Sequence, residues 1–340
     1  MNARRVRAGL RGWGGVGAMA VVCALAAVFA LLLPSARSHE DDASDLDGGG
    51  TARGDRTRAP KCENPEDQSL SPSSGEQNGP TVREIRARGY LVVGVDQNSY
   101  RFGYRDPNSE SDEAQLEGFD IDLVHEIADG IVGKKENNVR FRAIPTDQRI
   151  PAIRTGKVDM VVRTMTINCE RLEQVAFSSP YFETGQQVLA PKRSDITGYD
   201  TSLADKRICT ATGSTAYDAL EADRTAGRLV ASADFEKRTV PNQLDCLVRL
   251  QLGEADAVVT DSALAASQAA QDPTVGLKGE PFTEEYYGVA MKKEARDLVR
   301  RVNQVLVDYR KDGWRTSYDT WLAASLGDSS GPPEVKYRQS

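Results

Sequence analysis

Histidine is nearly missing: the 340 residues hold two, His39 and His125. A Ser–His–Asp triad or a multi-histidine zinc site has little to draw on. No two cysteines stand in CxxC spacing, so a zinc ribbon or a thioredoxin-like redox motif is not expected. The pattern GxxxxGK is absent as well, which excludes the usual phosphate loop of nucleotide hydrolases. An excess of basic charge is also lacking. The net charge is −7 at pH 7, the wrong sign for neutralising a phosphate backbone, so nucleic acid is not an expected partner. No metal, cofactor or catalytic residue is expected.

One long apolar run is present, the 18 residues from Val16 to Leu33. Arg4, Arg5, Arg7 and Arg11 precede it, and acidic sequence follows from Glu40. Positive before and negative after is the pattern of export with the N-terminus inside. At about 1.5 Å per helical residue the run just crosses a bilayer. Ala36-Arg37-Ser38 offers a small-x-small cleavage site, so residues 1–38 read either as a removed signal peptide or as a retained membrane anchor. Residues 39–80 are rich in Gly, Ser, Pro, Asp and Arg with few large apolar residues, which predicts a disordered spacer. Residues 325–340 read as a flexible tail for the same reason.

Four cysteines lie beyond the apolar run: Cys62, Cys169, Cys209 and Cys246. Four allow three pairings. Cys209 follows a strand-like run and Cys246 lies on a helix-like run of the same region. This favours Cys209–Cys246, leaving Cys62–Cys169 to tie the spacer to the first lobe; four buried thiols are the alternative. An exported chain meets the oxidising conditions that disulfides need.

From Thr81 onward strands and helices alternate. Leu91–Val95 reads as a buried strand, and Ile121, Val124, Ile127, Ala128 and Ile131 recur at helical spacing. Val139–Ile144 alternates like a strand, Pro151 opens a short helix that Gly156 ends, and Val158–Val162 is the next strand. The alternation predicts an α/β architecture. A frame of apolar-x-x-Gly-x-apolar-Asp-x-Val-Val occurs twice, from Ile153 and from Leu250, offset by 97 residues. Each copy reads as helix end, glycine cap, strand and polar strand end, with Thr164 and Asp261 at the two ends. In open α/β sheets ligands bind beyond such ends, so two similar lobes with a polar cleft between them are expected.

Several segments carry a resemblance, in order: Leu91–Asp96, Gly118-Phe119-Asp120-Ile121-Asp122-Leu123, Arg149-Ile150-Pro151-Ala152, Thr164-Met-Thr166-Ile-Asn-Cys-Glu170-Arg171 and Phe177-Ser178-Ser179-Pro180-Tyr181. Gly213-Ser214-Thr215, the strand Asp256–Asp261 and Tyr287-Gly288 continue it. The chain resembles the family 3 solute-binding proteins of ABC transporters, which bind polar amino acids. The contexts of Cys169 and Cys246 look most like actinobacterial glutamate-type members, including an anchored sensor that works with a serine/threonine kinase.

The resemblance implies a two-lobed periplasmic-binding-protein fold of type II. Lobe 1 would comprise 81–182 and 288–324, and lobe 2 would comprise 186–283. The crossings would be Tyr181–Gly185 and Thr283–Tyr287, closing by a hinge over the ligand. A monomer is expected, outside the cytoplasmic membrane, with an ABC permease or a membrane sensor as partner. Binding is favoured over catalysis; a dehydratase on this fold, with Asp96, Glu284 or Glu285 as its acid or base, is the enzymatic alternative, and a structural or adhesive surface domain lacks support.

A free amino acid presents a carboxylate, an ammonium and a side chain, each needing a partner in a desolvated cleft. By the resemblance, Arg171 holds the ligand carboxylate with a planar guanidinium, aided by Thr164 and Thr166. On spacing alone Arg171 also reads as a surface charge beside Glu170. Asp261 takes the ammonium by resemblance, whereas by position it could cap the following helix. Ser214 and Thr215 sit at a helix N-terminus suited to an anion; the resemblance makes them ligand contacts. Arg149 matches an arginine with which acidic-amino-acid binders reach the distal carboxylate. Arg101 could assist it. Asp96 is where related glutamine binders hold the amide. Gln243 stands where some acidic-ligand binders place a histidine. Thr146, Tyr100 and Phe102 complete the expected lining, and Phe102 reads equally as core. L-Glutamate or L-aspartate is therefore expected, with glutamine and asparagine as the alternatives.

Overall fold

The computed structural model describes residues 62–106, 115–229 and 231–338. The expected signal or anchor, and the spacer up to residue 61, lie outside the described residues. No helix among the described residues is long and apolar enough to cross a membrane.

Proline at its first position opens α1 (Pro80–Arg88), and Gly89 closes it with φ at 84°. The chain then forms β1 (Leu91–Val95), β2 (Asn98–Ser99), β3 (Gly103–Arg105), β4 (Leu116–Glu117), α2 (Phe119–Val132) and β5 (Val139–Ala143). Next come α3 (Arg149–Arg154), β6 (Met160–Val161), α4 (Cys169–Gln174) and β7 (Ala176–Phe177). Through β8 (Phe182–Thr184) it crosses to β9 (Gln186–Pro191), β10 (Ile208–Ala211), α5 (Thr215–Thr225), β11 (Thr239–Val240) and α6 (Gln243–Gln251). β12 (Ala257–Asp261), α7 (Ser262–Gln271) and β13 (Val275–Lys278) follow. The return runs through β14 (Glu285–Tyr287) to β15 (Ala290–Met291), α8 (Arg296–Tyr309), α9 (Gly313–Trp321) and α10 (Ala323–Leu326).

Two five-stranded sheets result, ordered β5-β1-β6-β15-β7 and β11-β10-β12-β9-β13. They share one plan. In each, three strands run parallel, and a fourth, delivered by a crossing, pairs antiparallel with both of its neighbours. The crossings β8 and β14 pair with each other, Phe182 opposite Tyr287 and Thr184 opposite Glu285. Gly185 has no alternative here, because a Cβ on it would meet the Thr283 carbonyl oxygen at 2.0 Å.

The duplicated sequence frame has a structural reason. Gly156 and Gly253 end their helices with φ of 72° and 69°, which only glycine adopts without strain. Asp159 Oδ2 accepts the Val92 N–H at 2.8 Å, and Asp256 Oδ2 accepts the Arg207 N–H at 2.8 Å. Each aspartate also pairs with an arginine, Arg88 and Arg207. The repeated acid therefore fastens the start of a central strand to its parallel neighbour in both sheets.

Of the three cysteine pairings, the fold contains Cys62–Cys169 and Cys209–Cys246, with Cα–Cα distances of 5.8 and 5.5 Å. The first bears on a correction. The composition of 39–80 predicts disorder, yet residues 62–80 carry 3-10 turns at Pro65–Asp67 and Pro72–Ser74. Beyond the disulfide, buried Ser69 donates to the Phe177 carbonyl at 2.8 Å, and Asn303 Nδ2 donates to the Leu70 carbonyl at 2.7 Å. The expected flexible tail is likewise laid back onto the fold as far as residue 338: the Arg338 N–H donates to the Ser69 carbonyl at 3.0 Å, and Arg310 holds the Pro333 carbonyl at 2.6 Å. Apart from Arg310, which is 23 residues from Pro333, the partners that order these segments lie more than 100 residues away, and composition carries no trace of them.

In lobe 1 the core gathers α1, α2, α8 and α9 on the first sheet, with Phe119, Tyr181 and Trp314 buried at its centre. Phe102 is part of that core. It packs edge-on against Phe119, Phe182 and Tyr287, so it is not pocket lining.

Candidate functional site

Five strand ends point at one cleft. Asp96 follows β1, Thr146 follows β5, Arg163 and Thr164 follow β6, Gly213 to Thr215 follow β10, and Asp261 ends β12. The lobes touch across it: the Thr146 N–H donates to the Pro241 carbonyl at 3.0 Å, and Thr146 Oγ1 donates to Gln243 Oε1 at 3.2 Å. A cavity of about 690 Å³ opens beside this seam, lined by Thr146, Arg149, Arg171, Gly213 and Asp218 among others.

Arg171 is 6% exposed, so its reading as a surface charge is set aside. Asn168 caps α4 by accepting the Arg171 N–H at 2.8 Å. The guanidinium turns back to donate to the Thr166 carbonyl at 2.8 Å and to the Gly213 carbonyl of the other lobe at 3.2 Å. Arg149 is 3% exposed. It donates to the carbonyls of Thr146 at 2.8 Å, Arg163 and Thr164 at 3.4 Å, and Gly213 at 3.2 Å. Neither guanidinium pairs with a carboxylate of the described residues. Burial lowers the affinity of both for their protons, and in Arg149 the charges of Arg171 and Arg163 lower it further. Two buried cations thus converge on one neutral carbonyl oxygen.

Asp261 precedes α7 but makes no capping bond to it. Its carboxylate accepts Gln186 Nε2 and the Tyr287 hydroxyl instead. It is 7% exposed. Burial, and next the charge of Glu285, push its carboxyl up to about 7; Tyr287, Gln186 and Arg149 act in the opposite direction. Tyr287 is held far above its ordinary value, by burial first and then by Asp261, so it remains a donor.

Thr166 and Thr215 meet through a residue that the sequence did not mark as a binding group. Glu285 Oε2 accepts Thr166 Oγ1 at 2.5 Å and Thr215 Oγ1 at 2.9 Å, while Oε1 accepts Gln186 Nε2 at 3.0 Å. Thr164 has φ at 39°, a strained value for a threonine. Asp120 holds it there by accepting its N–H at 3.0 Å, and the Tyr181 hydroxyl donates to the same carboxyl at 2.8 Å. The Thr164 hydroxyl is buried without a partner among the described residues.

Three expected contacts are differently employed. Ser214 Oγ caps α5, accepting the Tyr217 N–H at 3.2 Å and donating to the Ala211 carbonyl at 2.6 Å. Asp96 is committed to Arg163 at 2.9 Å. Arg101 lies over the Tyr100 ring at 5.1 Å and reaches Ser325 Oγ at 3.2 Å, away from the other arginines. Sequence reasoning missed Arg163, Gln186, Tyr287, Asn242 and Glu285 in its structural part. For Arg163 a signal existed: it stands beside Thr164 at a strand end that the duplicated frame had marked.

The family profile of bacterial extracellular solute-binding proteins, family 3, matches residues 91–324. The chain belongs to that family. Its members bind solutes outside the cytoplasm and are not defined by an enzymatic activity. This solute-binding protein is 32% identical over 251 residues to the ABC transporter glutamine-binding protein of Bacillus subtilis, covering 74% of this chain and 87% of that one. It is 27% identical over 271 residues to the glutamate-binding protein of Corynebacterium efficiens, covering 77% and 87%. Among solved structures it is similar to an ancestral arginine-binding protein bound to glutamine, with 34% identity, a TM-score of 0.61, and coverage of 71% of this chain and 99% of that one.

Proposed function

We propose that this protein captures an acidic amino acid, L-glutamate or L-aspartate, outside the cytoplasmic membrane and hands it to an ABC permease. The α-carboxylate lies on Arg171, the ammonium faces Asp261, and the side-chain carboxylate is drawn to Arg149. The observation that carries this reading is the pair of buried guanidinium groups, Arg149 and Arg171, whose acceptors are only backbone carbonyls. Buried charge with no carboxylate in direct contact is costly; Asp218, Glu285 and Asp261 act on Arg171, and Asp261 on Arg149, without forming an ion pair. A ligand with two carboxylates and one ammonium offsets both cations and leaves its own cation for the acid.

An amide ligand is the second reading, favoured by the name of the Bacillus subtilis relative. It leaves one guanidinium facing a neutral oxygen, a weaker acceptor than a carboxylate.

A thermal-shift panel of the common L-amino acids tests the assignment. Glutamate or aspartate should stabilise the fold saturably, by about 2.7 kcal/mol at 100 times Kd. A response to glutamine and asparagine alone moves the assignment to the amides. Silence toward all four ends it.

A further inference from the structure

Arg163 is the most deeply buried charge of the cleft, with 0% exposure. Its partners come from three segments. Asp96 Oδ2 lies at 2.9 Å and Thr146 Oγ1 at 3.0 Å, both in lobe 1. Asn242 Oδ1, at 3.2 Å, comes from the cap of α6 in lobe 2. Its Nε is buried with no acceptor among the described residues. Arg149 is adjacent, donating from Nη1 to the carbonyl of Arg163.

Asp96 is saturated by comparison. Oδ1 accepts the N–H groups of Gln97 at 2.8 Å and Asn98 at 3.0 Å, and Oδ2 accepts Ser99 Oγ at 2.7 Å together with Arg163. A carboxylate offers about four lone-pair sites, and four donors occupy them. No acceptor capacity is left in Asp96 for an N–H group of a ligand.

We propose that Arg163 sets the choice between acidic and amide side chains by consuming Asp96 as an acceptor and leaving this end of the cleft with donors. This rests on the amino-acid-binding reading above and deepens it. A side-chain carboxylate only accepts, so it matches a surface of guanidinium donors. A carboxamide carries two N–H donors that need acceptors, and burying them unpaired lowers affinity. The bond to Asn242 is a separate matter. It spans the lobes and contributes to closure over any ligand.

Calorimetric titration of the full-length protein with L-glutamate and with L-glutamine tests this through the ratio of the two Kd values. Arg163→Ala frees Asp96 to accept, so the ratio should move toward glutamine by at least about tenfold relative to wild type. Asn242→Ala should weaken both ligands by the same factor and leave the ratio in place. Asp96→Asn, which keeps Arg163 and removes its counter-charge, should move the ratio toward glutamate, and it decides the matter if Arg163→Ala does not fold. Equal weakening of both ligands by Arg163→Ala, or an unmoved ratio in Asp96→Asn, overturns the proposal. A wild type that prefers glutamine refutes the acidic-ligand reading alone, because the shift on substitution is still measured against that wild type.

Discussion

Glu285 accepts a hydroxyl from each wall of the cleft, Thr166 from lobe 1 and Thr215 from lobe 2. Hydrogen bonds to a charged acceptor contribute about 1.5–3 kcal/mol each. Glu285→Gln keeps the volume and removes the charge, so ligand affinity should fall about tenfold, the equivalent of about 1.4 kcal/mol. A second readout follows from Asp261. A ligand ammonium needs that carboxylate ionised, and its carboxyl is pushed up to about 7, with Glu285 the second cause after burial. Affinity should therefore climb as pH rises toward about 7 and then level. In Glu285→Gln the midpoint of that climb should move to lower pH. Calorimetry between pH 5 and 8 measures both effects, and an unmoved midpoint removes the claimed influence of one acid on the other. Part of this site was legible: the duplicated frame marked Thr164 and Asp261 at strand ends, whereas Arg149 and Arg171 lie on short helices and were marked only by the resemblance. The partners were not legible. Thr166 and Glu285 are 119 residues apart, and Thr146 and Gln243 are 97 apart; no local pattern links either pair.

Between sequence and fold, helix ends and strands were the most readable elements, because a glycine cap and a run of Val and Ile are local signals. Gly156 and Gly253 mark the same junction in both lobes. The strands β2, β3 and β4 were not readable, since at two or three residues each they are shorter than any periodic signal. The segment 62–80 was misread because its order comes from distant partners. The disulfides act on elements too. Cys209 lies in β10, just before the Gly213 loop, and Cys246 lies in α6, whose cap is Asn242. That bridge pins together the two parts of lobe 2 that reach across the cleft. With its ends 37 positions apart in sequence, loop-closure entropy makes it worth about 4 kcal/mol. The double variant Cys209→Ser/Cys246→Ser should lose about that much in a urea titration. A loss below about 1 kcal/mol would place the constraint elsewhere.

At the scale of the whole molecule the carboxyl groups fall into two populations with opposite effects on stability. Asp120 and Asp261 are buried and pushed up to about 7, by desolvation first. Each contributes stability that is fully present below its ordinary value of 3.8 and is lost as pH rises through about 7, because the unfolded chain ionises freely while the folded one resists. Asp195, Asp200, Asp256, Asp272 and Asp308 behave in reverse: hydrogen bonds hold them below 3.8, and their contribution is lost as pH falls. The unliganded protein should therefore melt highest at about pH 4, with a decline below it and another between about pH 4 and about pH 7, above which the share of Asp120 and Asp261 is fully lost. The decline between about pH 4 and about pH 7 belongs to these two acids. Asp261→Asn should make it shallower and leave the share of Asp120, and a saturating ligand should do the same, because its ammonium gives the ionised carboxylate a partner. Melting curves from pH 3 to 9, with and without ligand, measure both. If the limb between about pH 4 and about pH 7 stays as steep in Asp261→Asn, that acid does not set it; if it shallows there yet stays as steep in the liganded protein, the acid at the end of β12 does not face the ligand's positive pole.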